Sequence, residues 1–457
     1  MNDKNGGIVP QSTSKYNLYL AVFIAYLGPA AVGFVVGWSS PSLVILEAPD
    51  SEFPVTRDQG AWLASLVPLG AAIGPLISGS LLDSIGRRRT FLLQHLMLLI
   101  GWGLMCFRTI PVMYFARLLM GIAYGFSLAM TSIYIGEITD DSLRSTLNTM
   151  YPFFNKLPLL VTFGIGPHIS YYSLLLVCSL PSLVFLILYK SLPESPFYLF
   201  MTNRDSDMIE TLSRLRQLPE SSVVEEARVI KELFANKVEG SWRNLFTTRV
   251  NLRALMIVAC LQFFWQYSWG TVVMVYAQPI VKHIGISLPS DRCAWVLAAM
   301  SWGGTALSPV LVSTWGYKRA LLLSSVVCTL TMGVAAYFLG LHERGDNTPY
   351  VQWCIIISLV GFVISNYSAY YPISLSLLGE FFDPSMKAKG STFLICIACL
   401  ESSIAVYLYP WSIQIFQMSV TYWFSFAVLC VATIFVAIFV PETSGLSFAQ
   451  IQEVLNR

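Results

Sequence analysis

Charge is scarce in this sequence. Asp, Glu, Lys and Arg make up 12% of 457 residues against 55% hydrophobic residues, and the mean hydropathy is +0.62. A single soluble core cannot bury that much apolar surface, so an ordinary soluble protein is excluded and a multispanning membrane protein is implied. The net charge of +2 is too small to argue for nucleic acid as a partner. Histidine is scarcer still, with His95, His168, His283 and His342 scattered along the chain. The first two are expected at membrane interfaces and the others in outer loops. No Ser/His/acid set, phosphate loop or metal-ligand spacing accompanies them, which argues against an enzyme and implies no cofactor. The nine cysteines fall almost entirely inside apolar segments and suggest no disulfide framework. Cys396 and Cys399 have CxxC spacing, but on a lipid-embedded helix that spacing reads as packing before metal binding. Residues 1–17 are polar, carry no evident cleavable signal and read as a cytoplasmic tail.

What the chain has in abundance is long apolar runs. About twelve approach the ~20 residues a span requires: 18–38, 59–82, 90–107, 111–134, 146–167, 171–190, 252–278, 291–313, 320–340, 352–378, 391–410 and 418–440. Several contain Gly and Pro, such as Gly28 and Pro29 or Pro152 and Pro158, which suits kinked helices beside a cavity. Residues 18–190 and 251–440 therefore read as two six-helix halves, 191–250 as a cytoplasmic linker with two short amphipathic helices, and 441–457 as a tail. The expected fold is an all-α membrane protein of twelve transmembrane helices in two pseudo-symmetric halves. Lys and Arg concentrate in the loops on the side of the N-terminus, while the opposite loops hold only Arg57, Arg108, Lys282, Arg292 and Arg344. Both termini are expected to be cytoplasmic.

The halves repeat three markers in one order. GSLLDSIGRRR at 79–89, after the second span, is echoed by STWGYKR at 313–319 after the eighth; YIGE at 134–137 by LLGE at 377–380; PESP at 193–196 by PETSG at 441–445. Such duplication is the pattern of transporters with two related halves around a central site. Asp83, Arg87, Arg88, Arg117, Glu137, Arg144 and Glu194, with Glu380, Lys387 and Glu442, then read as a cytoplasmic gate. Ion pairs among them would latch that side shut and break on opening. Static anchoring at headgroup level, with the arginines serving the positive-inside rule, is the competing reading.

The motifs resemble those of the sugar porter family of the major facilitator superfamily, and within it the facilitated trehalose transporters of insects. The residues that carry the resemblance are GWSSP at 37–41, WLASLVPLGAAIGPLISG at 62–79, DSIGRRR at 83–89, ARLLMGIAYG and SIYIGE within 116–137, PESP at 193–196 and VPETSGLSFAQI at 440–451. The resemblance implies a monomeric alternating-access carrier in the lipid bilayer, in the plasma membrane, with a sugar site walled by the first, fourth, seventh and tenth helices and flanked by the fifth and eleventh. Departures gather in that site. The family's fifth-helix glutamine falls on Pro152, its paired seventh-helix glutamines on Trp265 and Gln266, and its nearby asparagine on Thr271. GPxPW of the tenth helix reads Tyr371-Pro372-Ile373-Ser374-Leu375, and Asn-Trp of the eleventh falls on Leu400 and Glu401. In the second half's gate, Ser313 replaces Asp and Lys387-Ala388 replaces Arg-Gly.

A polyol needs many hydrogen-bond partners, so these losses weaken the expectation of hexose binding, although aromatic residues remain plentiful. Two new charges, Lys156 and Glu401, lie near the middles of the equivalent fifth and eleventh spans. Ionisable groups at that depth face a cavity or a partner. They are expected to bind a charged solute or to pair across the cavity, the competing reading being a snorkelling Lys156 and a protonated Glu401. Candidate binding residues are therefore Gln266, Trp265, Thr271, Tyr371, Lys156 and Glu401. The aspartate common in the first helix of proton-linked relatives is matched by an apolar place near Val35, which favours facilitated diffusion of a sugar (trehalose or hexose) or a related small polar solute. The alternatives are a solute sensor or a carrier of a charged non-sugar solute. Asn366-Tyr367-Ser368 lies within a span, where it cannot be glycosylated.

Overall fold

The computed structural model describes the chain from residue 15 onward, apart from 141–142, 144–145, 148–149, 236–240, 286–288, 383–385, 444–449, 451–453 and 455–457 and the side chains of 233–235 and 378–380. The first span is Tyr16–Gly37, continued past Trp38 by Ser39–Leu46. Arg57–Ile85, Arg87–Met105, Ile110–Ile138, Tyr151–Ile165 and Tyr171–Leu188 complete the first half. In the second half the seventh span comes in three pieces, Arg249–Tyr267, Gly270–Val275 and Ala277–Ile284. Ser290–Trp315 and Tyr317–Glu343 follow. The tenth span is Pro349–Ser365, a π turn at Asn366–Tyr370 and Tyr371–Glu380, and Lys387–Phe416 and Met418–Phe439 end the bundle.

Among the described residues, nine helices are long and apolar enough to cross a bilayer unaided. The third, fifth and seventh spans fall short for visible reasons. Arg87 to Arg89 open the third, the fifth is a 15-residue helix, and the seventh is broken twice. Packing directions show that these three cross as well. Gly70 and Gly74 of the second span meet Gly121 and Gly125 of the fourth with both sequences running the same way, and a Cβ on any of the four would strike the facing backbone. Two parallel neighbours require the third span to return between them. The first and fifth are also parallel: Tyr26 stacks on Phe154 at 4.5 Å between ring centroids, and Gly37 lies on Thr162. The seventh runs parallel to the eleventh, Gln266 bonding the Ala398 carbonyl and Tyr276 the Val406 carbonyl.

Local chemistry explains the irregular points. The second span starts on a capping box, the Gln59 N–H donating to Thr56 Oγ1 and the Thr56 N–H to Gln59 Oε1. Pro372 has no N–H for the Ser368 carbonyl, and the ladder widens so that the Tyr371 N–H reaches the Asn366 carbonyl. In the seventh span Trp269 takes a left-handed φ of 66°, and Gly270 follows because the Trp265 indole fills the space a Cβ would need. The third piece of that span carries Lys282, which the sequence reading placed in a loop. His95 is a second correction. It is buried within the third span, its Nδ1 3.1 Å from Ser182 Oγ and its ring stacked on Phe185 at 3.9 Å, rather than at an interface.

Between the halves lie four short helices rather than two: Pro196–Met201, Asp205–Arg216, Glu220–Ala235 and Trp242–Thr247. The first three share a small core of Leu199, Met208, Leu212, Val223, Ala227 and Ile230. Arg216 ties them to the end of the fourth span through the Ile138 carbonyl at 2.9 Å and Asp140 at 3.0 Å. The fourth belongs to the other half, with Leu245 in its core and Phe246 against Phe393 at 5.1 Å.

Candidate functional site

At the end of the bundle that carries the N-terminus, the second and third spans are joined by Gly86, whose φ of 92° favours glycine and whose missing side chain leaves room for the Glu194 carboxylate. Glu194 Oε1 accepts the N–H groups of Arg87 at 2.9 Å and Arg88 at 3.1 Å, an anionic cap on the third span. Burial raises the Glu194 carboxyl above the usual range, and the backbone N–H groups of Ser195, Arg88 and Arg87 oppose that shift. The Arg87 guanidinium then forks onto Glu137 with bonds of 2.9 and 2.8 Å, its side chain only 6% exposed. Asp83 is a weaker partner at 3.4 Å and 63% exposed. Arg88 donates to the Tyr189 and Lys190 carbonyls and lies over the Tyr189 ring.

The second half repeats the frame with a different residue at the corner. Gly316 has a φ of 78°, and Glu442 accepts the N–H groups of Tyr317 at 3.1 Å and Lys318 at 3.2 Å. Tyr317 stands where the first half has Arg87, and the Ser313 hydroxyl bonds its own helix at Val310. Lys387 is exposed on the first turn of the eleventh span. Arg144 and the Glu380 side chain lie outside the described residues. The Arg87–Glu137 and Glu194 contacts lie within the first half and its connection to the linker.

Arg117 is misplaced in that set. It sits seven residues into a span that starts on the opposite side, fully buried, donating to the Leu63 carbonyl at 2.8 Å, the Val35 carbonyl at 2.9 Å and Ser39 Oγ at 2.6 Å, with Trp38 under its guanidinium. It braces the first, second and fourth spans far from the terminal-side arginines. At this opposite end the two halves meet directly. Gln278 N–H donates to Ser40 Oγ at 3.0 Å, Ser403 Oγ to the Ser65 carbonyl at 2.9 Å and Tyr407 to Asp58 at 3.3 Å, while His168 lies 3.5 Å from Asp291. Glu47 is packed at the same junction, where burial raises its carboxyl to about 7 against the opposing pull of Arg57 and Lys282.

The middle of the molecule is aromatic. Trp265 stacks on Tyr371 at 4.5 Å and donates through Nε1 to Asn366 Oδ1 at 2.9 Å. Tyr367, edge-on to Tyr371, donates to the Gly270 carbonyl at 3.1 Å. Lys156 enters from the fifth span with its Nζ 4.5 Å from the Tyr367 ring centroid and 5.5 Å from that of Tyr371. Trp265, Tyr371 and Lys156 are thus brought together. Gln266 is occupied internally: its Nε2 bonds the Ala398 carbonyl at 3.2 Å and its Oε1 accepts from Thr271 at 2.8 Å. Glu401 is elsewhere. It lies beside Cys260 and Tyr267 of the seventh span with Oε2 buried and without a partner among the described residues, and no ion pair joins it to Lys156. The expected pairing across the cavity fails because the two spans present these residues to different neighbours.

Three residues of this region were missed by the sequence reading. Asn366, whose sequence signal is only an Asn-x-Ser spacing, anchors the Trp265 indole and leaves its buried Nδ2 unpartnered among the described residues. Tyr367 supplies the ring nearest Lys156. Gln262 is 1% exposed with neither amide atom partnered among the described residues, and its spacing of four from Gln266 on one helix face was the available signal.

A family model described as sugar (and other) transporter matches residues 21–455. Similar curated proteins include a facilitated trehalose transporter of Polypedilum vanderplanki, 25% identical over 442 residues that cover 96% of this chain and 88% of the relative. Another is that of Apis mellifera ligustica, 26% identical over 453 residues covering 97% and 89%. Among solved structures, the inward open conformation of the xylose transporter XylE from E. coli superposes with a TM-score of 0.79 at 16% identity, covering 96% of this chain and all (100%) of that one. Its partially occluded inward open conformation gives 0.77 at 18% identity, covering 94% and 100%. These likenesses span the whole bundle and agree with its twelve-helix, two-half architecture.

Proposed function

The chain belongs to the sugar (and other) transporter family, and from that premise we propose that it carries a sugar or a related small polar solute across a membrane by alternating access, as facilitated diffusion. Both termini face the cytoplasm of a cell whose plasma membrane holds the protein, in keeping with the side on which Lys and Arg concentrate. One chain supplies both halves and the whole centre, so the working unit is a monomer. The observation that carries the reading is the aromatic centre formed by Trp265, Tyr367 and Tyr371 at spans of both kinds of irregularity, the broken seventh and the π-turned tenth. Rings offer flat apolar faces to a pyranose, and irregular backbone within a bundle is tolerated where it lines a site. Movement is a rocking of the halves: the contacts from Ser40, Ser65 and Asp58 to the second half break as the opposite side opens.

The test is uptake of labelled trehalose, glucose and xylose into cells or proteoliposomes with surface delivery confirmed. Saturable uptake that follows the gradient and persists after collapse of the proton gradient is expected. Delivery to the surface with no uptake of any solute would contradict transport and leave a solute sensor as the reading.

A further inference from the structure

Lys156 is the one feature of the centre that a neutral sugar does not require. Its residue exposure is 8%, it stands mid-bundle on a short helix, and among the described residues its ammonium has no hydrogen-bond acceptor and no carboxylate; two tyrosine rings are its contacts. A buried cation without an anion is costly, and ring quadrupoles repay only part of that cost. The neighbouring polar groups point the same way. Gln266 has spent its carbonyl oxygen on Thr271 and its N–H on Ala398, and Asn366 has spent its oxygen on Trp265, which leaves Asn366 Nδ2 as a second unspent donor at the aromatic cluster. What this centre still offers is positive charge and donors, with the Gln262 amide as a further unpartnered donor and acceptor among the described residues, together with aromatic faces.

We propose that the solute is a sugar acid, a polyol ring bearing one carboxylate, with the carboxylate on Lys156 and the ring against Tyr371 and Trp265. The assignment rests on the transport reading above and names its substrate class. One lysine matches one carboxylate, whereas a phosphate monoester brings close to two charges and more acceptor oxygens than this centre has donors to meet. Binding would also complete the electrostatics of the resting protein, since the anion supplies the partner that Lys156 lacks.

Glucuronate and glucose are the probes. In proteoliposomes, uptake of glucuronate should exceed that of glucose, and Lys156→Met should reduce glucuronate uptake by about 10- to 100-fold, the loss of one charge-assisted bond, while Lys156→Arg retains most of it. In parallel, glucuronate should raise the melting temperature of the purified wild type and leave that of Lys156→Met unmoved, a readout that does not need transport. Glucose uptake equal in wild type and Lys156→Met, with no shift from glucuronate, would overturn the proposal while sustaining the carrier. No uptake of either probe together with a Lys156-dependent shift from glucuronate would sustain the site and contradict transport. If Lys156→Met fails to reach the membrane, Lys156→Gln with the same melting assay decides the matter.

Discussion

The two halves build the same corner with different chemistry. In each, a glycine of positive φ ends one span, the next span begins at once, and a glutamate from beyond the half's last span caps the first N–H groups: Gly86 with Glu194, Gly316 with Glu442. At the corner the first half carries a buried guanidinium clasp, Arg87 on Glu137, and the second carries Tyr317 in the equivalent place. The common part is therefore the capped glycine corner, which sets the turn between spans. The clasp is a separable addition that locks the fourth span's end to that corner.

The largest effect expected from this difference is Arg87→Ala. It leaves Glu137, whose side chain is 13% exposed, without its forked partner, and breaking such a pair costs ~3–5 kcal/mol. Thermal unfolding of the purified protein should show a far greater loss than Glu194→Ala does, which removes only the cap; equal losses would break the distinction between corner and clasp. A second effect appears at the far end of the first half. The Glu47 carboxyl is raised to about 7 by its burial at the inter-half junction, so the neutral acid favours this closed arrangement. That contribution is complete below the solvated carboxyl's range near pH 4.5 and is lost as pH rises through about 7. Acidification of the medium on that side from pH 8 to 5 should slow thiol labelling of a cysteine placed at Ser65, and Glu47→Gln should remove that dependence. Removal of either cap should cost about 1 kcal/mol, so Glu194→Ala and Glu442→Ala sharpen the comparison by giving similar losses in melting experiments. Asp83→Asn should be the smallest, under ~0.5 kcal/mol for an exposed pair, because its 3.4 Å contact is 63% exposed.

Much of this architecture is legible in the sequence because long apolar runs and Lys/Arg asymmetry are imposed by the bilayer, and the repeated GRRR/GYKR, GE and PE markers sit at helix ends where chain position fixes depth. The side-chain directions are not legible in the same way. Charge alone groups Arg117 with the terminal-side arginines, although a residue early in the fourth span must lie near the opposite surface. Lys156 and Glu401 occupy equivalent spans, yet the fifth turns Lys156 toward Tyr367 while the eleventh turns Glu401 toward Cys260 and Tyr267. Nothing in the spacing of either run fixes that rotation. Trp269's left-handed turn escapes pattern reading too, since a bulky residue at positive φ is held there by its surroundings, including the bond from its indole to the Thr421 carbonyl at 3.1 Å.

The account stands on two halves that close on each other at one side and must part there for solute to pass. The most direct measurement is transport by a variant carrying Ser65→Cys and Ser403→Cys, sites joined here by a 2.9 Å hydroxyl-to-carbonyl bond, in a background freed of reactive native cysteines and bridged by a short reducible thiol cross-linker. The account predicts that bridging abolishes uptake and that reduction restores it. Undiminished uptake by fully cross-linked protein would contradict it.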